Sequence, residues 1–395
     1  MPQSVPVLMY HSIGNPDRNW LWHFLTCPWD VFEKQIQALS RRGFHTISLQ
    51  ELYDYMCTGK SLPPRPVVLT FDDGYLDNWF YAYPILKKYS FRGTIFVNPE
   101  FVDPTLEYRP NMDDIRNGRC SFEELQGSGF LSWREMREME ASGVIDIQSH
   151  ALTHTWYFNS PTIIDFRHPR DGYIWLDWNK HPQTKHNYRS EKYLPEYGSP
   201  VYSYGPSLIT RKYFPDPTLK KVLVEYVGDR GGRAFFEKAN WRNKLQKLVR
   251  DYRESHSLND RFETEIEYIE RVEHELYHSK EIIGEKLGKQ ISFLCWPNGA
   301  NNEITLRIAS QAGYLSSTYS SRAKGFRNKF GEDAARIKRI SALHITCSDA
   351  SKLRFIDSKL FVAYVYSYYY SSILPRALRY CLNIAYRLLH PAIGH

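Results

Sequence analysis

The chain has 395 residues, 42% of them apolar and 15% aromatic. It can therefore bury one large core or two ordinary ones, which excludes a disordered chain. The net charge of +7 is mild and comes with no dense Lys/Arg tract. That excludes a nucleic-acid binder and leaves only a weak pull towards an anionic membrane surface or an acidic glycan. Cys27, Cys57, Cys120, Cys295, Cys347 and Cys381 are scattered without a C-x-x-C pair, so neither a disulfide framework nor a cysteine zinc knuckle is expected. No stretch approaches the about 18 consecutive apolar residues of a spanning helix. The start lacks a charged segment followed by an apolar one. The expectation is a cytosolic protein, with peripheral contact of its C-terminal tail at the inner membrane face as an alternative to docking on the protein itself.

In chain order, residues 5–9 read as a buried strand ending at Tyr10-His11-Ser12. Residues 30–42 form an amphipathic helix with Phe32, Ile36 and Leu39 on one face and Gly43 to stop it. Residues 44–49 read as a strand, as do 66–71, with Asp72-Asp73-Gly74 directly after. A helix over 78–89, a strand over 93–98, a helix over 133–142 capped by Ser132, and a strand over 144–148 ending at Ser149-His150 follow. Strand and helix alternate, and polar residues gather where strands end. This is a parallel α/β pattern, which builds its site at the carboxyl ends of the strands.

From about residue 155 to 258 the alternation breaks into a stretch rich in Tyr, Trp, Asn and Pro, with helices near 218–227 and 240–253. Residues 262–287 restore an apolar stripe, and 291–295 form a strand closed by Trp296-Pro297-Asn298-Gly299. The tail carries Tyr364, Tyr366, Tyr368, Tyr369 and Tyr370, then a basic amphipathic stretch over 377–389. That stretch suits docking on the protein's own body or a second copy, or binding at a membrane interface. The many aromatics suit either the faces of sugars or an aromatic core.

His150-Ala-Leu-Thr-His154 places two imidazoles four residues apart, on one face if the turn is helical. Asp72-Asp73 at the edge of a core is electrostatically costly unless something positive neutralises it. The alternative is an Asp-Gly turn with both carboxylates in solvent. Two His and one Asp also make a three-ligand set that leaves room for water and substrate.

Thr70-Phe71-Asp72-Asp73-Gly74, followed by Ser149-His150 and His154, resembles the first two motifs of the polysaccharide deacetylase superfamily. Val5-Pro-Val-Leu-Met-Tyr-His11 resembles its poly-N-acetylglucosamine deacetylase branch, and Trp296–Gly299 resembles its Tyr-Pro-Tyr-Gly-like turn in position and in its Pro and Gly, with Asn298 in place of the family's aromatic. The resemblance implies a distorted (β/α) barrel with a large insertion and a helical C-terminal tail. Residues 1–155 and 259–350 would form the barrel, 156–258 a cap along the substrate groove, and 351–395 the tail.

It further implies that Asp73, His150 and His154 bind a divalent metal, most often Zn2+, with Ni2+, Co2+ or Mn2+ as alternatives. Asp72 would be the general base and the Asn298 backbone N–H an oxyanion donor, with Tyr10, Trp296 and Pro297 against the sugar. The acid that protonates the leaving amine would be His11, His344 or a His of the insertion. The family's base-orienting Arg has no counterpart before Trp296. Arg336 and Arg339 are substitutes, and either is equally suited to be a surface charge. The implied activity is removal of N-acetyl groups from an N-acetylhexosamine glycan. O-acetyl ester or other amide hydrolysis at the same site, and a non-catalytic glycan-binding role, stand as alternatives.

Overall fold

A computed structural model of the chain describes residues 4–15, 17, 20–125, 128–187, 195–320, 323–342, 358–369, 377 and 381. The chain forms two compact units. The first takes residues 1–151, 279–299 and 313–395, and the second takes 152–278 and 300–312, a larger segment than 156–258.

The first unit is built on a nine-stranded sheet whose pairings are all parallel. Its path runs Arg336–Lys338, Ser316–Tyr319, Phe293–Leu294, Ile145–Ser149, Gly93–Val97, Pro66–Phe71, Val7–Tyr10 and Ile340–Ser341, with His45–Thr46 beside the start of Pro66–Phe71. The two ends of this path are the same stretch of chain. Residues 336–338 pair with Ser317, Thr318 and Tyr319, while Ile340 and Ser341 pair with Leu8 and Met9. Arg339 sits between the two pairings and so at the seam that nearly closes the barrel. Strands covered on both faces read as continuous apolar runs, and every residue of Pro66–Phe71 is buried. The expected barrel is therefore present.

Several local expectations give way to turn chemistry. Residues 44–49 do not form one strand, because Ser48 starts a helix, Leu49–Thr58. Its hydroxyl accepts from Glu51 N–H, and the Glu51 carboxylate accepts from Ser48 N–H, a reciprocal cap. The helix expected over 78–89 opens as a π-helical turn, Asn78–Ala82, before the α-helix Tyr83–Lys88. Helix Ser358–Tyr369 docks on the first unit, with Phe361 and Val365 fully buried, Tyr364 donating to the Ser341 carbonyl at 2.9 Å and Tyr366 against Phe44. Nearly all of the basic stretch over 377–389 lies outside the described residues. Among the described residues no helix is long and apolar enough to cross a membrane.

The second unit pairs Trp156–Phe166 antiparallel with Pro200–Pro206. Helices Pro217–Gly228 and Trp241–Ser255 close their apolar faces over Phe166 through Leu219, Leu223, Val227, Leu245 and Val249. Much of the aromatic excess goes into such cores: Trp79, Tyr81, Tyr202 and Tyr213 are among the largest fully buried side chains.

Gly93 starts its strand where a Cβ would lie 2.9 Å from the Phe71 ring and 3.2 Å from Leu86. Gly93→Ala is expected to destabilise the protein by about 1–3 kcal/mol through this overpacking. An unchanged denaturation midpoint would contradict the packing described.

Candidate active site

The strand Pro66–Phe71 delivers two adjacent carboxylates to opposite environments. Asp72 continues the strand's direction, donating its N–H to the Tyr10 carbonyl at 3.1 Å, and is only 3% exposed. The backbone then turns left-handed at Asp73 (φ 72°) and Gly74 (φ 70°). A left-handed non-glycine residue is uncommon and costs about 1 kcal/mol or more. At Gly74 a Cβ would also meet Val97 at 3.0 Å, so glycine serves both conformation and space. The turn separates the pair: Asp72 faces the core and Asp73 stays half-buried. They do not both point to solvent.

Asp72 is neutralised by Arg339. The guanidinium, itself buried, reaches Oδ1 through Nη1 at 2.6 Å and Oδ2 through Nη2 at 2.8 Å. This two-pronged geometry is specific to arginine and stronger than a single contact. Burial pushes the Asp72 carboxyl up, but the charge and hydrogen bonds of Arg339 outweigh it and hold the group below its usual range. Asp72 is therefore ionised at neutral pH. Arg336, the other sequence candidate, instead stacks its guanidinium over Phe326, 4.1 Å from the ring centroid.

The second half of the site follows the strand Ile145–Ser149. His150 is buried, and its Nδ1 lies 2.8 Å from the Cys295 carbonyl. A carbonyl only accepts, so Nδ1 carries the proton and Nε2 faces Asp73 Oδ1 at 3.2 Å. The Tyr75 hydroxyl is hydrogen-bonded to Asp73; burial, then the Asp73 charge, raise its pKa, so it keeps its proton and donates. The stretch from His150 to His154 is not helical. It turns through left-handed backbone at Ala151 (φ 57°) and His154 (φ 40°). Asn98 fastens the first part by donating to the carbonyls of His150 and Ala151. The helical premise for this pair therefore fails while the convergence it was meant to explain holds: ligand atoms of Asp73, His150 and His154 lie within 4.8 Å of one another.

Two imidazoles and a carboxylate are donors for a divalent cation of the zinc type, and a ring held at Nδ1 by a carbonyl is the usual support for a ligating Nε2. The residues fit such an ion. A second cluster, Asp72, His150 and Cys295, is equally close-set. Its positive charge is already supplied: Arg339 holds both Asp72 oxygens and donates to Cys295 Sγ at 3.0 Å. A cation there would face a guanidinium, so the two clusters share His150 but only the first suits a metal.

The remaining sequence candidates divide. His11 Nε2 lies 3.9 Å from Asp72 Oδ2, with its side chain partly exposed. Asn298 is exposed in a left-handed turn (φ 56°) closed by Gly299 N–H to the Trp296 carbonyl. Tyr10 does not face a sugar: its ring is fully buried beside Phe32 and Phe71, and its hydroxyl donates to Gln35 at 2.8 Å. Trp296, 1% exposed, and Pro297 are likewise core residues that shape the Asn298 turn. His344 lies outside the described residues.

One buried acid carried no sequence signal. Asp77 accepts from Ser12 Oγ, while its Oδ1 has no partner among the described residues. Asn78 beside it donates to the His11 carbonyl at 3.0 Å, so the π-helical turn tethers the His11 loop. Burial pushes the Asp77 carboxyl up to about 7, against the hydrogen bonds of Ser12 and of the Ile13 and Asn78 backbone. An acid whose folded pKa is raised favours the folded state below its unfolded pKa of about 3.9, and that advantage is lost as pH rises to the folded value. Asp77→Asn is therefore expected to remove on the order of 2–4 kcal/mol of stability loss between pH 4 and 8. Equal pH dependence in both proteins would contradict a raised Asp77.

The polysaccharide deacetylase family model matches residues 59–197. The protein YxkH of Bacillus subtilis (strain 168), named for the same family, is 29% identical over 153 residues, 39% of this chain and 44% of its own. The poly-β-1,6-N-acetyl-D-glucosamine N-deacetylase of Staphylococcus aureus (strain MSSA476) is 31% identical over 121 residues, 30% of this chain and 34% of that one. The chain thus spans less than half the length of these relatives. The solved de-N-acetylase from Aggregatibacter actinomycetemcomitans shares the fold, with a TM-score of 0.53 and 20% identity over 90% of this chain and 99% of that one. The stretch similar to the polysaccharide deacetylase family thus contains Asp72, Asp73 and both histidines of the candidate metal site.

Proposed function

We propose that this chain is a metal-dependent hydrolase that removes N-acetyl groups from an N-acetylhexosamine glycan and releases acetate. The observation that carries the reading is the Asp73, His150 and His154 cluster beside an ionised Asp72 held by Arg339. The activity of the Staphylococcus aureus relative, an N-deacetylase of poly-β-1,6-N-acetyl-D-glucosamine, supports this sugar class.

An amide resists hydrolysis because its carbonyl is a poor electrophile and its nitrogen a poor leaving group. Asp73, His150 and His154 would hold a divalent cation, best matched by Zn2+. When bound, such a cation polarises the acyl carbonyl and lowers the pKa of water from 15.7 towards about 7. Asp72 accepts the proton of the attacking water, and Arg339 keeps it charged and aimed for that step. The low basicity this pairing imposes suits a water already made acidic. His11, 3.9 Å from Asp72, donates a proton to the departing amine. General acid catalysis of this kind contributes about 10²–10⁴-fold. The exposed turn at Asn298 offers its backbone N–H to the developing oxyanion.

Acetate release from N-acetylglucosamine oligomers, measured with Zn2+ or Co2+ present, tests the reading. Asp73→Ala and His154→Ala are expected to abolish both cation uptake and acetate release. Asp72→Asn is expected to retain the cation and lose turnover by about 10²-fold or more. Full activity in the His154→Ala protein would sink the assignment. Acetate from O-acetylated but not N-acetylated oligosaccharides would establish the esterase reading in its place.

A further inference from the structure

The left-handed backbone at His154 (φ 40°) persists only where its surroundings over-determine it. Those surroundings are unusually well furnished. The Nζ of Lys185 donates to the Thr153 carbonyl at 2.7 Å, and Lys185 is 1% exposed. Thr153 Oγ1 donates to Glu275 Oε2 at 2.9 Å, and Glu275 is equally buried. On the other side of His154, Thr155 Oγ1 donates to Asn179 Oδ1 at 2.6 Å, and Asn179 Nδ2 donates to the Trp156 carbonyl at 2.9 Å. Ser207 N–H closes the set on the Thr155 carbonyl at 2.9 Å. Both neighbours of His154 are thus gripped through main chain and side chain.

A fully buried ammonium is an expensive way to hold a turn. Replacing a buried ion pair by apolar or neutral groups of similar volume is often neutral or stabilising, so stability alone does not account for Lys185. Burial raises the pKa of the Glu275 carboxyl, and the charges of Arg271 and Lys185 only partly offset it. What the arrangement does account for is direction. A single rotation at Thr153 or Thr155 would swing the His154 ring away from the ligand atoms of Asp73 and His150.

We propose that Lys185, Glu275 and Asn179 are positioning residues for the cation site, clamping Thr153 and Thr155 so that the His154 imidazole is held ready as a ligand. The proposal rests on the reading of His154 as a metal ligand. The clamp acts before any substrate arrives, so its effect is on cation affinity as well as on turnover. Supporting side chains of this kind typically change metal affinity by about 10–100-fold when removed.

The test is titration of the full-length, metal-stripped protein with Zn2+ alone, read by competition with a chromophoric chelator, beside a melting curve of each metal-free protein. Lys185→Met, the charge-balanced pair Lys185→Met with Glu275→Gln, and Asn179→Ala are compared with wild type and with His154→Ala as the floor. The expected result is a Zn2+ affinity lower by about 10–100-fold in the two Lys185 variants. Asn179→Ala is expected to weaken binding in the same direction, and the metal-free melting curves of Asn179→Ala and of the charge-balanced pair are expected to stay near wild type, while Lys185→Met alone melts lower. Asn179 is exposed, so its variant folds on general grounds and decides the question should both Lys185 variants fail to fold. Wild-type Zn2+ affinity in folded Lys185 variants, or in Asn179→Ala when those do not fold, overturns the clamp. A wild-type protein that binds no Zn2+ overturns the metal reading itself, a separate outcome.

Discussion

Arg339 and Asp72 form a buried ion pair at the place where the sheet meets its own other end, and the site's chemistry depends on that contact. Burying either charge alone would be prohibitive, and removing one partner of such a pair typically costs about 3–5 kcal/mol. The pair is possible because residues 336–338 lie beside Ser316–Tyr319 while Ile340 and Ser341 lie beside Val7–Tyr10. That crossing carries Arg339 to the carboxyl end of Pro66–Phe71, where its fork also touches Thr70 and Cys295. Closing the barrel and holding Asp72 charged are one structural event.

The same contact divides the labour of two consecutive carboxylates. Adjacent acids left together would raise each other's pKa. Here the left-handed turn at Asp73 and Gly74 parts them, and each meets a different positive or donating neighbour. Asp72 is held by Arg339 through both oxygens, and Asp73 is approached by Tyr75 and His150. Pairs of titratable groups driven into different environments are how one site runs two roles. His150 belongs geometrically to both clusters, and the proton on its Nδ1, fixed by the Cys295 carbonyl, commits its Nε2 to the Asp73 side.

The parts of this that were legible in the sequence are those written in contiguous residues. The apolar run into Asp72-Asp73-Gly74 and the spacing of His150 and His154 can be seen without a structure. Arg339 was legible only as one of two arginines, because its partner is 267 positions away in the chain and nothing local marks which arginine turns inward. The His150–His154 stretch was misread in form, since four-residue spacing suggests a helix while the backbone uses two left-handed residues. Tyr10 and Trp296 show a different failure. Aromatics beside catalytic motifs resemble sugar platforms, yet a parallel barrel buries both faces of its strands and takes these rings into the core. Lys185 gave no signal, because a lysine in a polar stretch reads as solvated until its burial is seen. The Ser48–Glu51 cap was readable from its spacing, and it outranks the strand-like run that precedes it.

X-ray absorption at the zinc edge of the Zn2+-loaded protein distinguishes the two clusters that share His150. The arrangement described here predicts one zinc per chain with only nitrogen and oxygen neighbours, including two imidazoles, from His150, His154 and Asp73. A sulfur neighbour at about 2.3 Å would put Cys295 on the metal. It would then break the division between a guanidinium-bound Asp72 and a metal-bound Asp73 on which the account stands.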